Sequence, residues 1–394
     1  MKPIQVSRRA AARFVLAKQG LLEADGLRLW RDELTGVEGV LAAVRRLECV
    51  QIDPVSLVER NHHLVLRNRV GGYQQDQLDA LLSSGRVFEH WANARCFLPM
   101  EDYPVFRWQM RRLAEEQQSR RGKLGDIPDR IVAEIRESGP RSSREIESDE
   151  KVVGYWDSAP RTKATSLALE LLWEAGDLMI ARRNGIEKVY DVPERLVPSE
   201  LRSEALEMSE DGACRTLLDK YYRAYRLLDT EDFRFGWRKM PAAERRDVVA
   251  RQVAAGELVP VEVEGVRRQY CALAADVPLL RHLGDPEVEV VPNVFILPPL
   301  DNVLWRRERL ADLFGFDYTW EIYIPQAKRR FGAYAVPVLR GDRFAGRVNL
   351  RHDREAGALV VEGVWLDDGA RLSADIEKAL FDLAAFVGAG EVRL

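Results

Sequence analysis

The sequence predicts an α+β protein: tandem winged-helix units, each a helix-turn-helix with a β-hairpin wing, followed by a small C-terminal β-barrel or antiparallel sheet. Three observations predict it. Helix-patterned segments lead into "DLMIARRNGIEKVYDV", where two strand-like arms flank Asn184-Gly185, the strongest short-range signal for a type I′ hairpin. Three helices and then such a hairpin are the winged-helix pattern. The plan returns downstream, where two helical segments precede strand arms about Glu264-Gly265. After about residue 285 the pattern changes to alternating apolar and polar residues around Gly-Asp and Asp-Arg turns, the signature of a small sheet or barrel. The expected divisions are 1–124, 125–200, 201–284 and 285–394.

Each element follows from local chemistry. Ser7 is placed to cap a helix ending near Gly20, with Ala11, Phe14, Val15 and Lys18 on one face. Val37, Val40, Leu41, Val44 and Leu47 repeat at helical spacing. "CVQID" reads as a short extended piece, followed by a helix from about Val55 to Arg69 that stops at "GGY". "YQQDQLDALLSSG" is the next helix. "IPDRIVAEIRESG" gives another, and Ser142 or Ser143 is expected to open a short one. In "ATSLALELLWEAG", Ala168, Leu171, Leu172 and Ala175 share a face. "GACRTLLDKYYRAYRLL" and "PAAERRDVVARQVAAG" supply the helices of the third unit. "WEIYIP", "YAVPVLRGDRFAGRVNLRHD" and "GALVVEGVWLDD" are the expected C-terminal strands, and "SADIEKALFDLAAFVGAG" is a last helix packed on them.

With 394 residues, 46% hydrophobic and 31% charged, the chain is long and apolar enough for folded cores rather than disorder. Cys49, Cys96, Cys214 and Cys271 are scattered, which argues against a disulfide framework and for a reducing cytoplasm. No signal peptide or membrane span is read. The net charge of −4 does not suggest a nucleic-acid partner, yet a net charge can hide a local field. The stretch Arg107 to Lys123 carries six basic residues against two acidic. Further knots stand at 67–69, 181–183 and 328–330. Each can equally be a solvated face.

Candidate chemistry centres on Gln51 and Asp53. Two residues apart in an extended segment, they share one face, where a carboxylate and a carboxamide can hold a water between them. The competing structural reading makes Asp53-Pro54 a helix start, with Asp as N-cap and Pro at the first helical position. His62 and His63 invite a metal reading, but no HExxH and no acidic partner at metal-ligand spacing accompanies them, so no metal is expected. On a helix one of the two should face the core and the other the ligand side. Glu89, His90 and Trp91 form a polar and aromatic cluster suited to a wall beside the Gln-Asp pair. Phosphate-loop and dinucleotide glycine motifs are missing, so no nucleotide cofactor is expected.

"VQIDPVSLVERNHHLVLRNR", "EHWANARCFLPMEDYP" and the long run from "PPLDNVLW" through "RVNL" together resemble the YcaQ/AlkZ-like family of DNA glycosylases, over nearly the whole chain. The resemblance implies tandem winged helices with a C-terminal β-barrel element, and excision of alkylated bases with unhooking of interstrand crosslinks. The family signature is Gln, a hydrophobic residue, then Gln or Asp. Gln51-Ile52-Asp53 is similar to the branch with Asp, which implies that Gln51 and Asp53 are catalytic. Asn93 stands where relatives carry His, which puts the substrate range in question.

A guanine alkylated at N7 or an adenine alkylated at N3 is already cationic and leaves readily. The barrier lies in the sugar, which becomes oxocarbenium-like. Asp53 would stabilise that cation and accept a proton from water oriented by Gln51. No lysine sits near the motif, so a monofunctional hydrolase is expected. DNA contacts are expected from Arg60, His62, His63, Arg67, Arg69, His90, Trp91, Arg182, Arg183, Lys328, Arg329 and Arg330. The expected partner is double-stranded DNA bearing alkylated or crosslinked bases, bound by a monomer. The competing reading is a winged-helix regulator without catalysis. It is disfavoured because the helices lack a dense Arg/Asn/Gln row for base edges.

Overall fold

The computed structural model describes residues 2–146, 151–153, 161–367, 369 and 372–394. The fold is mixed α+β, and contacts gather into two compact units: Met1–Tyr73 with Lys220–Leu394, and Gln74–Asp219. Among the described residues no helix is long and apolar enough to cross a membrane.

In the first unit the Arg8–Lys18 helix starts as expected, with the Ser7 side chain accepting from the Ala10 amide at 3.1 Å. Its Phe14, Val15 and Leu16 are fully buried. The Gly36–Leu47 helix buries Val40, Leu41, Val44 and Leu47 on one face and runs into the two-residue strand Val50–Gln51. An N-terminal strand, Ile4–Val6, was not legible beforehand. It pairs in parallel with Leu258–Val263, which pairs antiparallel with Tyr270–Leu273. The C-terminal region is an open five-stranded sheet. Val294–Ile296, Ala335–Arg340, Arg343–Asp353 and Ala358–Leu366 run antiparallel, and Glu391–Arg393 closes the order in parallel. The Ala374–Phe386 helix buries Ile376, Leu380 and Leu383 in the same apolar cluster as this sheet.

The second unit contains the Gln75–Ser83 helix, the hairpin Val87–Trp91 with Arg95–Pro99, and the helices Tyr103–Glu116, Ile127–Ser138 and Ala164–Glu174. The hairpin Met179–Asn184 with Glu187–Asp191 follows. It forms where expected, but its two-residue loop is Gly185-Ile186, and only Gly185 takes a positive φ. That is the pattern of a II′ turn rather than I′, because a β-branched isoleucine avoids the left-handed region that I′ requires at both positions.

Three expected elements differ. The helix read from Val55 to Arg69 is confined to Asn61–Arg67. Residues 53–60 are drawn out instead along the C-terminal sheet: the His352 amide donates to the Leu57 carbonyl at 2.8 Å, and Val58 is fully buried in the sheet's apolar cluster. Tertiary packing outweighs local helix preference here. Ser142 opens no helix over 143–146; Arg141–Ser142 pairs as a strand with Val189 and Tyr190. Residues 147–150 of that expected helix lie outside the described residues. In "WEIYIP", Glu321–Tyr323 is a short 3-10 turn, not a strand. Its Glu321 carboxylate accepts the Phe331 and Gly332 amides at 2.8 and 3.0 Å, which fixes the chain reversal.

The first unit is organised by a fully buried ion pair. Arg69 donates to both carboxylate oxygens of Asp301 at 2.8 Å, and neither side chain is exposed to solvent. Asp301→Asn would leave a buried guanidinium without its counter-charge, at a cost of about 3–5 kcal/mol. Denaturant titration should show that loss, and Arg69→Met combined with Asp301→Leu should recover most of it.

Candidate active site

The Gln51-Ile52-Asp53 segment is held from below by asparagines. The Asn61 amide donates to the Gln51 carbonyl at 2.9 Å, and its oxygen accepts the Leu300 amide at 3.0 Å. Asn302 donates to the Cys49 carbonyl at 3.1 Å. Thus "PPLDNVLW" is tied to the motif strand by side chains rather than by a ladder. The Trp305 indole closes the arrangement by donating to the Leu300 carbonyl at 3.0 Å.

Asp53 caps no helix, since the nearest one begins eight residues later at Asn61. One oxygen accepts the Val55 amide at 2.8 Å in a local turn. Among the described residues no cation lies within salt-bridge distance of it. Burial raises its pKa above the ordinary 3.8, and the Val55 amide pulls in the other direction. Burial and then the Asp53 carboxylate push up the phenol of Tyr323, a ring 76% exposed.

Gln51 lines a cavity of about 280 Å³ with Asp232, Phe233, Arg234, Leu300 and Trp305 through Glu308. Asp53 does not line it. Phe233 is 71% exposed, and the Arg234 guanidinium sits 5.1 Å from its ring centroid. Arg306 is committed to Asp229 at 2.9 and 3.0 Å, and Arg307 donates to the Pro299 carbonyl at 3.1 Å. The sequence reading missed Asn61, Phe233, Tyr323 and these arginines. The exposed aromatics carry no periodic signal, and Asn61 is visible only as a polar residue at a helix start.

The other expected contacts divide. Arg182, Lys328 and Arg330 are exposed; Arg60 and Arg67 are half-buried. Burial brings the Arg67 pKa down to about 10, which leaves it cationic at neutral pH. Several expectations are corrected by burial. Arg69 is paired with Asp301 as described and reaches no solvent. His62 and His63 both face inward, with His63 Nδ1 2.8 Å from the Tyr73 hydroxyl, so neither is on a ligand side. His90 is fully buried against the Glu174 carbonyl at 3.2 Å. Arg183 makes a two-pronged pair with the buried Glu89 at 2.5 and 2.6 Å, which neutralises its charge. Arg329 is half-buried, and its Nε and Nη2 donate to the carbonyls of Glu321, Ile322 and Ile324, which orient it without cancelling its charge. Trp91 donates to Glu174 at 2.9 Å. Glu89, His90 and Trp91 are therefore engaged within their own unit.

The model of the AlkZ-like DNA glycosylase family matches residues 44–386, and the chain belongs to that family. It is a DNA glycosylase acting on DNA. A solved structure with the same fold is the DNA glycosylase AlkZ of Streptomyces sahachiroi, 16% identical, with a TM-score of 0.61 over 99% of each chain.

The buried histidines set a pH dependence. Burial is the main cause that pushes His63 and His90 down to about 4, from an ordinary 6.5. Between those values the unfolded chain binds protons that the folded chain refuses. Stability therefore falls as pH drops from 6.5 toward 4. Melting temperatures across that range should show the fall, and His90→Asn should make it shallower.

Proposed function

We propose that the enzyme excises purines alkylated at N7 or N3, that it unhooks interstrand crosslinks, and that Asp53 and Gln51 carry the chemistry. The observation that supports this is Asp53 itself: a half-buried carboxylate with no cationic partner among the described residues and no helix to cap. An anion held that way has electrostatic work left to do, and perturbed, unpaired groups of this kind concentrate at functional sites.

The alkylated base supplies its own positive charge and departs as a neutral base. As the glycosidic bond breaks, charge develops at C1′ of the sugar. A fixed carboxylate in a partly desolvated position stabilises that charge far more than the same group would in water. Gln51 orients the attacking water through its amide, and Asp53 accepts the water's proton. The water oxygen bonds to C1′, and the products are the free base and an abasic sugar. The strand stays intact because no amine attacks C1′.

A crosslinked base remains tied to the opposite strand and cannot rotate fully into a closed pocket. Gln51 and Asp53 are each only half-buried, which suits a tethered substrate. Phe233 and Tyr323 offer exposed ring faces near the motif for base stacking. Arg60, Arg67, Arg182, Lys328 and Arg330 are the basic side chains proposed to meet phosphates. The winged-helix organisation over 1–124, 125–200 and 201–284, ahead of 285–394, belongs to the same proposal. The hairpins after the Ala164–Glu174 and Ala242–Ala254 helices support it. A monomeric state is part of the same proposal, since a single chain with several such units needs no second copy.

The test is a duplex with one N7-alkylguanine beside one with a nitrogen-mustard-type crosslink, each treated with wild type and Asp53→Asn and then with alkali. Wild type should produce alkali-labile sites in both. Asp53→Asn should lose about 10²–10³ in rate while duplex binding persists. Full excision by Asp53→Asn would remove Asp53 from the chemistry. Binding without abasic sites from wild type would exclude these adducts as substrates.

A further inference from the structure

The Arg107–Lys123 stretch stood out in the sequence, and the Gln51-Asp53 site does not use it. Within the second unit it lines a cavity of about 500 Å³, a volume in the range of small-molecule sites, about 300–1,000 Å³. The Tyr103–Glu116 helix presents Arg107 and Arg111 one turn apart, and the Ser199–Glu207 helix contributes Arg202. Arg121 and Arg136 also line the cavity, with Asp129, Asp177 and Glu194 as the acidic lining.

The charges are not balanced. Arg121 pairs with Asp177 and Asp129, and Arg136 pairs with Glu194. The three carboxylates are thereby used. Arg107, Arg111 and Arg202 each bond a backbone carbonyl instead: Ala175 at 2.6 Å, Ala205 at 3.0 Å and Val197 at 3.3 Å. A carbonyl orients a guanidinium without cancelling its charge. Five guanidiniums against three carboxylates leave two positive charges in excess. Each tethered arginine also keeps other N–H groups available, in the fork geometry that suits oxyanions.

The tether is built into the chain. Gly176 takes φ +70°, and a Cβ there would meet the Met110 sulfur at 2.4 Å and Arg107 Nη1 at 2.9 Å. Glycine at this position lets Arg107 reach the neighbouring Ala175 carbonyl. The buried Tyr103 also lines the cavity, and its hydroxyl has no hydrogen-bond partner among the described residues. It is a further donor for an anionic oxygen.

We propose that this cavity is a second, anion-binding site that takes the phosphate of a nucleotide-sized ligand on Arg107, Arg111 and Arg202. Its lining lies wholly within the second unit, and the proposal does not depend on the chemistry assigned to Asp53. The phosphate belongs to the DNA backbone or to a free nucleotide, and two arms of one experiment tell these apart.

Full-length wild type, Arg111→Gln with Arg202→Gln, and Leu206→Glu would be compared. Leu206 lines the same cavity and is 75% exposed, so a carboxylate there opposes anions without disturbing packing. One arm titrates a 5′-deoxymononucleotide by calorimetry. The other measures undamaged-duplex binding against salt, where each lost phosphate contact flattens the log–log slope by about 0.9. If the ligand is a free nucleotide, both variants should bind it at least tenfold more weakly than wild type, with the DNA slope unchanged. If it is DNA, the double variant should flatten the slope by about one to two, and Leu206→Glu should weaken duplex binding. Should the double variant fail to fold by circular dichroism, Leu206→Glu carries the comparison. Folded variants that match wild type in both arms would overturn the proposal.

Discussion

The buried pair Arg69–Asp301 is the constraint on which the first unit depends. Arg69 also donates to the carbonyls of Gln19 and Val65, at 2.9 and 3.1 Å, and Asp301 accepts the Val303 amide at 3.1 Å. Three segments far apart in sequence therefore meet at one fully desolvated charge pair: the end of the first helix, the helix after the motif, and "PPLDNVLW". Such a pair is weak evidence for stability in itself, because desolvation offsets much of the attraction. Its consequence is positional. Once Asp301 is fixed, Asn302 and the Leu300 backbone are fixed, and they reach Cys49 and, through Asn61, Gln51. A small error at the pair would propagate directly to the motif.

Charge is sorted by burial rather than by count. The net charge of −4 conceals two kinds of arginine. Arg69, Arg183 and Arg306 are neutralised by carboxylates. Arg234, Arg182 and Arg330 hold no such carboxylate among the contacts described above. Asp53 is the mirror image: an anion kept out of ion pairs in a chain rich in both signs. Leaving it unpaired forgoes stability, a local departure that supports the catalytic role proposed for Asp53.

Much of the architecture was legible because it rests on local rules. The Ser7 cap, the heptad-like apolar spacing of the Gly36–Leu47 helix and the glycine of the Met179–Asp191 hairpin act within a few residues of themselves. The extended start of the Gln-Ile-Asp motif was legible, and the strand forms over Val50–Gln51 before Asp53 enters a local turn. What could not be read was set by distant partners. Pro54 through Arg60 look helical, but Leu57 and Val58 are claimed by the C-terminal sheet, some three hundred residues away. The basic knots looked alike in sequence, yet Arg69 and Arg183 are consumed by Asp301 and Glu89 while Arg182 and Arg330 remain at the surface. Phe233 and Tyr323 gave no signal, since a lone aromatic reads as core until its exposure is known.

The most direct measurement is the single-turnover excision rate of an N7-alkylguanine duplex against pH, over the range in which circular dichroism shows the fold intact. An ionised Asp53 with its pKa raised by burial predicts an acid limb. The rate should fall as pH drops, with a midpoint above the ordinary aspartate value of 3.8, and Asp53→Asn should show a slow rate without that limb. A wild-type rate that stays flat through this range, or an acid limb that persists in Asp53→Asn, would contradict the role given to Asp53.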